Sequence, residues 1–160
     1  MTSTCAGGNC KAVPAMIDTQ PFQDLLALHT LTLATQGADG PHAVPLYFAS
    51  DELLHLYFFS DPQSLHSRHL ARDGRAAVAF YPPSQDWQEI RGLQMRGQVQ
   101  QLAAGPRWNQ GWAYYRAKFP FVEALKDIVA QNELYAFTPH WIRLVDNRRG
   151  FGFKQEWVLK

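Results

Sequence analysis

The nine residues SDPQSLHSR, Ser60 to Arg68, follow directly on the apolar run LYFF and bring serine, histidine and arginine together. These residue types suit an anion. Hydroxyls donate hydrogen bonds, a cationic side chain offsets charge, and a helix N-terminus adds free N–H groups and partial positive charge. The same stretch reads as an ordinary helix start. Ser60 with Gln63 fits a capping box, or Asp61 is the cap with Pro62 at the first helical position. Capping accounts for Ser60, Asp61 and Pro62 and leaves Ser64, His66 and Arg68 over. Asp61 opposes an anion there unless its carboxylate points away.

Other reactive side chains are sparse. His66 and His69 lie three apart on the expected helix, yet no third ligand accompanies them, so no metal is expected. Cys5 and Cys10 are separated by four residues in a Gly-, Ser- and Thr-containing start without a second ligand pair. No Ser-His-Asp order or nucleophile elbow is present. Trp108 and Trp112 fall at helical spacing and read as core, whereas Trp141 is free to stack on a ring. Arg91, Arg148 and Lys154 read as solvated charges on pattern alone.

The elements that must position these residues follow from periodicity. TQPFQDLLALH sets Phe22, Leu25, Leu26 and His29 at helical spacing behind Thr19 as a cap and an early Pro21. LTLAT, HAVPLYFAS and LLHLYFFS, divided by GADGP and by Asp51–Glu52, read as three consecutive strands of an antiparallel meander. RAAVAFYP and LQMRGQVQQL follow, the second alternating Leu93, Met95, Gly97 and Val99 with polar partners. Trp108, Trp112, Tyr115 and Phe119 then mark one helix, and Phe121, Val122, Leu125, Ile128 and Val129 a second behind Pro120, both packed beside the sheet. ELYAFTPHWIRLVD and FGFKQEWVLK are strands around the turn NRRG. The pattern predicts a mainly β, α+β fold: an antiparallel barrel with flanking helices.

With 160 residues the chain fits one domain, expected over 19–160 behind a flexible tail at 1–18. A formal charge of +1, with fifteen Lys and Arg spread along the chain, argues against a nucleic-acid partner. No apolar run reaches about 18 residues, and MTSTCAGGNCKAVPAM lacks the basic-then-apolar order of a secretion signal. No membrane partner and a cytoplasmic location are therefore expected.

The order LATQGADGPHAVPLYFAS, LHLYFFSDPQSLHSRHLARDGRAAVAFY and IRGLQMRGQVQQL resembles the split-barrel flavoproteins related to pyridoxamine 5'-phosphate oxidase, from about Leu25 onward. Segments similar to AYYRAKFPF and VDNRRGFGFKQEW place the closer likeness in an uncharacterised bacterial subgroup with a C-terminal DNxxGFG motif, here Asp146 to Gly152. The resemblance implies a split barrel that binds flavin mononucleotide (FMN) as a homodimer with the cofactor at the interface. It implies that Ser60 and Ser64 grip the phosphate, with His66 where the oxidases have lysine. It also implies ring contacts from the strand backbone at Pro45, Leu46, Tyr47 and Phe58, Phe59, Ser60. Arg91 and Trp141 join the expected site. GFGFKQEW, through Phe151 and Lys154, is expected near the flavin held mainly by the other subunit, or else is a hairpin turn and an edge strand.

Three departures argue against pyridoxamine phosphate oxidation itself. Val44 stands where the oxidases have a phosphate-binding arginine, Gly92 where they have a ring-facing glutamine, and an RLHDR-like substrate motif is absent. What remains is a flavin-binding protein, with an oxidoreductase role on an unknown small molecule open. The alternatives are a non-catalytic flavin or haem carrier and a degenerate split-barrel dimer without cofactor.

Overall fold

The computed structural model describes residues 18–159. Cys5, Cys10 and almost all of the expected tail lie outside that range. A 3-10 turn over Gln20–Phe22, with Pro21 inside it, leads into α1 (Gln23–Leu26), which buries Phe22 and Leu25. This helix is shorter than its periodicity predicts. Thr19 makes no side-chain cap bond, and His29 lies beyond the last turn, exposed to solvent.

Strands β1 (Thr30–Gly37) and β2 (Gly40–Tyr47) form a hairpin in which Gly37 pairs with Gly40, the latter at a φ of 106° that favours glycine. After β3 (Ala49–Ser50) and β4 (Leu56–Ser60) come α2 (Leu65–Arg72), β5 (Arg75–Phe80) and β6 (Arg91–Gln101). Next are α3 (Pro106–Lys118), a 3-10 stretch over Pro120–Leu125, α4 (Lys126–Ala130), β7 (Glu133–Asp146) and β8 (Lys154–Val158). The strands make one eight-stranded antiparallel sheet in the order β2-β1-β5-β6-β7-β4-β3, with β8 also on β7. The sheet curls into a half-barrel with the helices on its flanks.

The expected meander ends after β2. Phe48, fully buried, breaks HAVPLYFAS in two, and β4 pairs with β3 and β7 rather than with β2. The burial of β4 explains this. Leu56, Tyr57 and Phe58 are all buried, so the strand needs cover on both faces and cannot stay at an edge. Phe58 faces the barrel core of Phe22, Phe48, Phe80, Phe137 and Met95. Tyr57 and Phe59 face α3, where Phe59 meets Trp112 at 5.8 Å and Tyr115 at 5.1 Å. Gly111 permits this approach: a Cβ there would sit 2.6 Å from the Tyr57 ring.

The second apolar stripe does not pack as expected. Val122 is buried, but Phe121, Leu125 and Ile128 stand in solvent. Residues 120–125 wind at three per turn, so spacing suited to 3.6 does not hold one face.

Lys118, at the end of α3, donates to the carbonyls of Leu26 and Leu28 at 2.9 and 2.6 Å and covers the Phe48 ring at 4.1 Å. Burial pulls its ammonium down to about 8. The unfolded chain therefore holds more protons than the folded one between about pH 8 and 10.4, and stability rises with pH across that window. Relative to Lys118→Met, the wild type should gain stability from pH 8 to 10. A flat difference in urea midpoints, or a Lys118 Cε resonance titrating with the other lysines, would contradict this.

Candidate functional site

The local structure around SDPQSLHSR differs from the capping expected of it. Helix α2 begins at Leu65, and its cap is Ser64, whose Oγ accepts from Ser67 N–H at 3.3 Å. Asp61 accepts from Gln63 N–H at 2.7 Å in the preceding turn, and Pro62 belongs to that turn. Ser60, the last residue of β4, is thus released from capping.

The freed hydroxyl enters a polar knot. Ser60 Oγ lies 2.6 Å from His66 Nε2, 3.2 Å from Ser67 Oγ and 3.3 Å from Ser64 Oγ. Ser64 Oγ is 3.1 Å from His66 Nε2 and donates to Ser67 Oγ at 2.9 Å. Ser60 and His66 are each 6% exposed. Burial, and then the nearby His42 and His69, hold the His66 pKa below 6.5, partly opposed by Asp61. With its single proton on Nδ1, a neutral His66 accepts at Nε2, and the hydroxyls then run in order from Ser64 through Ser67 and Ser60 to the imidazole.

Two further histidines close the cluster. His42, on the inward face of β2, lies parallel to His66 with ring centroids 6.1 Å apart, and edge-on to His69 at 6.2 Å. His69 Nε2 is 2.9 Å from Asp39 Oδ1 in the β1–β2 turn, and its Nδ1 is 3.1 Å from Thr35 Oγ1. The carboxylate can only accept, so Nε2 donates to Asp39, and Nδ1 is left to bond the threonine hydroxyl. Gly37 makes room: a Cβ there would lie 2.1 Å from His69 Nε2. His42 and Ser67 were not among the candidates from sequence. The available signal was a histidine in phase with Val44 and Leu46, on the inward face of an amphipathic strand.

The other expected residues fall elsewhere. Pro45 and Tyr47 project outward from β2, an edge strand, while Leu46 packs against the core. Phe59 turns its ring to α3, as described. Arg91 pairs with Asp24 of α1. Trp141 lies under the guanidinium groups of Arg96 at 4.5 Å and Arg143 at 4.8 Å. Phe151 is 83% exposed and meets Trp87 edge to face at 5.6 Å. Lys154 opens β8, paired with Val145. On β7, Ser60 is registered with Glu133 and Lys154 with Val145, a separation of roughly 40 Å along an extended strand. One chain thus brings Ser60, Ser64 and His66 together and holds Arg91, Phe151 and Lys154 at the other end of the sheet. Gly92 is tightly enclosed, its absent Cβ 3.0 Å from the Phe80 carbonyl oxygen and 2.9 Å from Tyr81 Cβ, so a glutamine would not fit unshifted.

An open depression of about 430 Å³ lies on the outer sheet face between Ala34, Arg75, Ala77, Arg96 and His140. Another, of about 380 Å³, is lined by Trp87, Glu89, Asn147, Arg148 and Phe151. Neither includes the serine–histidine cluster. Both are shallow shelves, and convergent polar groups mark a site better than their volume does. Among the described residues no three His, Cys, Asp or Glu side chains are placed to hold a metal, and no helix is long and apolar enough to cross a membrane.

The curled antiparallel sheet with helices on its flanks is the architecture of a split-barrel protein. The family model described as pyridoxamine 5'-phosphate oxidase matches residues 19–146, and the chain belongs to that family. No curated protein sequence matches it. Among solved structures, a heme binding protein from Mycobacterium smegmatis superposes with a TM-score of 0.69 at 20% identity, over 82% of this chain and 53% of that one. The chain spans about half of that protein. HutZ, the heme storage protein from Vibrio cholerae, gives 0.61 at 15% identity over 82% and 86% of the two chains. An FAD-binding protein from Mesorhizobium loti gives 0.60 at 16% over 81% and 93%. At these identities the likeness is one of fold.

Proposed function

We propose that the chain is an FMN-binding split-barrel homodimer whose flavin phosphate is held at the head of α2. The observation that carries this reading is the convergence of Ser60, Ser64 and His66 there, within a chain of the pyridoxamine 5'-phosphate oxidase family. The residues present fit a phosphate. The N–H groups of Leu65 and His66 belong to the first turn of α2 and have no intrahelical acceptor. The hydroxyls that now bond one another can each rotate to donate outward. A cation then enters by protonation of His66 rather than as a permanent charge.

Flavin, when bound, supplies two-electron redox chemistry; the polypeptide supplies position and electrostatics. Ser60 and Ser64 orient the phosphate by donating, and the edge of β2 at Pro45, Leu46 and Tyr47 with the end of β4 at Phe59 borders the ring. Arg91, Trp141, Phe151 and Lys154 serve the site of the partner subunit, because the sheet holds their ends far from Ser60 in the same chain. The role is that of an oxidoreductase on a small molecule rather than a pyridoxamine phosphate oxidase. A haem carrier is the second reading, favoured by the mycobacterial heme binding protein and the Vibrio heme storage protein that share the fold.

The absorbance spectrum of freshly purified protein separates the two, since flavin gives two visible bands and haem a single intense Soret band. FMN should bind at least tenfold more tightly than riboflavin at pH 7, the preference expected from a few charge-assisted hydrogen bonds, and Ser60→Ala should erase most of it. The preference should weaken above about pH 7 as the imidazolium that faces the phosphate is lost, and His66→Lys should flatten that decline. Equal affinities for FMN and riboflavin would sink the phosphate assignment. A sedimentation result of monomer at micromolar concentration would sink the shared site.

A further inference from the structure

The phosphate assignment leaves one inward-facing group unexplained. His42 projects from β2 beside Val44 and Leu46, half-buried, and no hydrogen bond to its ring is present among the described residues. Its ring lies within 7° of parallel to His66, with the centroids 6.1 Å apart. A polar ring on a face otherwise given to apolar packing, beside a second ring already buried, brings two like charges together once both are protonated. In the free protein that combination is unfavourable, and His42 is one of the groups that holds the His66 pKa down. An anion placed against both rings reverses the sign of the interaction.

Resting on the phosphate reading of the α2 site, we infer that His42 is its second cation: a phosphomonoester dianion is bound by His42 and His66 together, with uptake of a proton on each. The balance is simple. The ligand carries close to two negative charges above its second pKa near 6, each neutral imidazole takes one proton from solvent, and the loaded site is close to neutral. The order of hydroxyls supports the change. Protonation turns His66 Nε2 from acceptor to donor, so Ser60 no longer donates to it and its hydroxyl proton becomes available to a phosphate oxygen.

Other charges around the pair are consistent with this. From the turn before α2, Asp61 favours a protonated His66. From the β1–β2 turn, Asp39 is engaged by His69, whose ring stands perpendicular to that of His42. From β7, Glu133 stands in register with Ser60. Val44 accompanies this arrangement. The strand position expected to carry a permanent cation is apolar, and the charge comes instead from the histidine two residues earlier on the same face.

Isothermal calorimetry of the full chain with FMN, in buffers of different ionisation enthalpy at pH 7.5, counts the protons taken up. The wild type should take up more than one proton per FMN and clearly fewer per riboflavin. His42→Gln should lower the uptake by about half a proton or more and weaken FMN about tenfold while leaving riboflavin unchanged. His42→Lys should restore affinity without restoring uptake, which a packing role for the ring would not do. If FMN outbinds riboflavin but His42→Gln changes neither affinity nor proton count, His42 is no part of the site while the flavin reading stands. If FMN does not outbind riboflavin, the assignment of the flavin phosphate to the head of α2 falls. Inorganic phosphate then decides the role of His42: movement of both the His42 and His66 imidazole resonances toward the protonated form sustains it, and an unmoved His42 overturns it.

Discussion

Gly97→Ala should lower the unfolding midpoint by roughly 10 °C, the change expected of about 3 kcal/mol in a chain of this size. The position is unusually closed. A Cβ at residue 97 would lie 2.2 Å from the carbonyl oxygen of Thr138 and 2.8 Å from the Phe137 ring. The first is backbone and has no rotamer by which to escape. Here β6 and β7 lose register: Arg96 pairs with Trp141 and Gly97 with Pro139, leaving His140 as the extra residue of a bulge. The bulge brings the β7 carbonyl over residue 97, and the strands can separate only by breaking the longest ladder in the sheet. Gln94→Ala, on the exposed face of the same strand, should stay within about 0.5 kcal/mol of the parent. A thermal melt in which Gly97→Ala shifts no more than Gln94→Ala would show that the bulge yields cheaply.

Asp51→Ala should be comparably harmful, costing about 3–5 kcal/mol at neutral pH, because it leaves several donors without their acceptor. Asp51 Oδ1 accepts from the N–H groups of Leu53 and His55 at 3.0 and 2.9 Å, and Oδ2 from His55 Nδ1 at 2.8 Å and the Tyr57 hydroxyl at 2.9 Å. These bonds hold the loop in which Leu54 adopts a φ of 64°, a conformation that leucine enters only under constraint. Burial is the largest single influence on the carboxyl and pushes its pKa up, but the bonds from His55 and Tyr57 together bring it below 3.8. A carboxyl whose folded pKa is depressed stabilises the fold above its unfolded value and loses that contribution as pH falls through the folded one. The gap between wild type and Asp51→Ala in denaturant midpoint should therefore be full at pH 7 and narrow below about pH 4. A gap that widens on acidification would reverse the assigned sign.

Most strands were legible in the sequence because their alternation is clean. Leu93, Met95, Gly97 and Val99 turn inward as their spacing requires, and β7 runs the full length of ELYAFTPHWIRLVD. Pairing was less legible where a strand lacks alternation: LYFFS carries no period to say which neighbours cover it, and its partner β7 lies over seventy residues later. The head of α2 was legible as a polar cluster but not in its wiring. Nothing in SDPQSLHSR distinguishes Ser60, Asp61 and Ser64 as caps, since each is a good one. His42 escaped because its partners come from a helix more than twenty residues away, and single-strand spacing reports only the face on which a side chain lies.

Strand β7 accepts β6 along one side, and on the other it accepts β4 at Glu133–Phe137 and β8 at Trp141–Val145. That sharing sets an order in time. A ribosome adding about 5–20 residues per second finishes β4 several seconds before β7 exists. During that interval Leu56, Tyr57 and Phe58 have only the two residues of β3 to pair with, and the growing barrel stays open along β6 as well. Closure waits on contacts distant in sequence, the kind that slow folding most. The nascent chain is therefore most prone to aggregate in the interval before residue 146 emerges, and a chaperone that binds aromatic-rich extended segments would find its target in LYFFS.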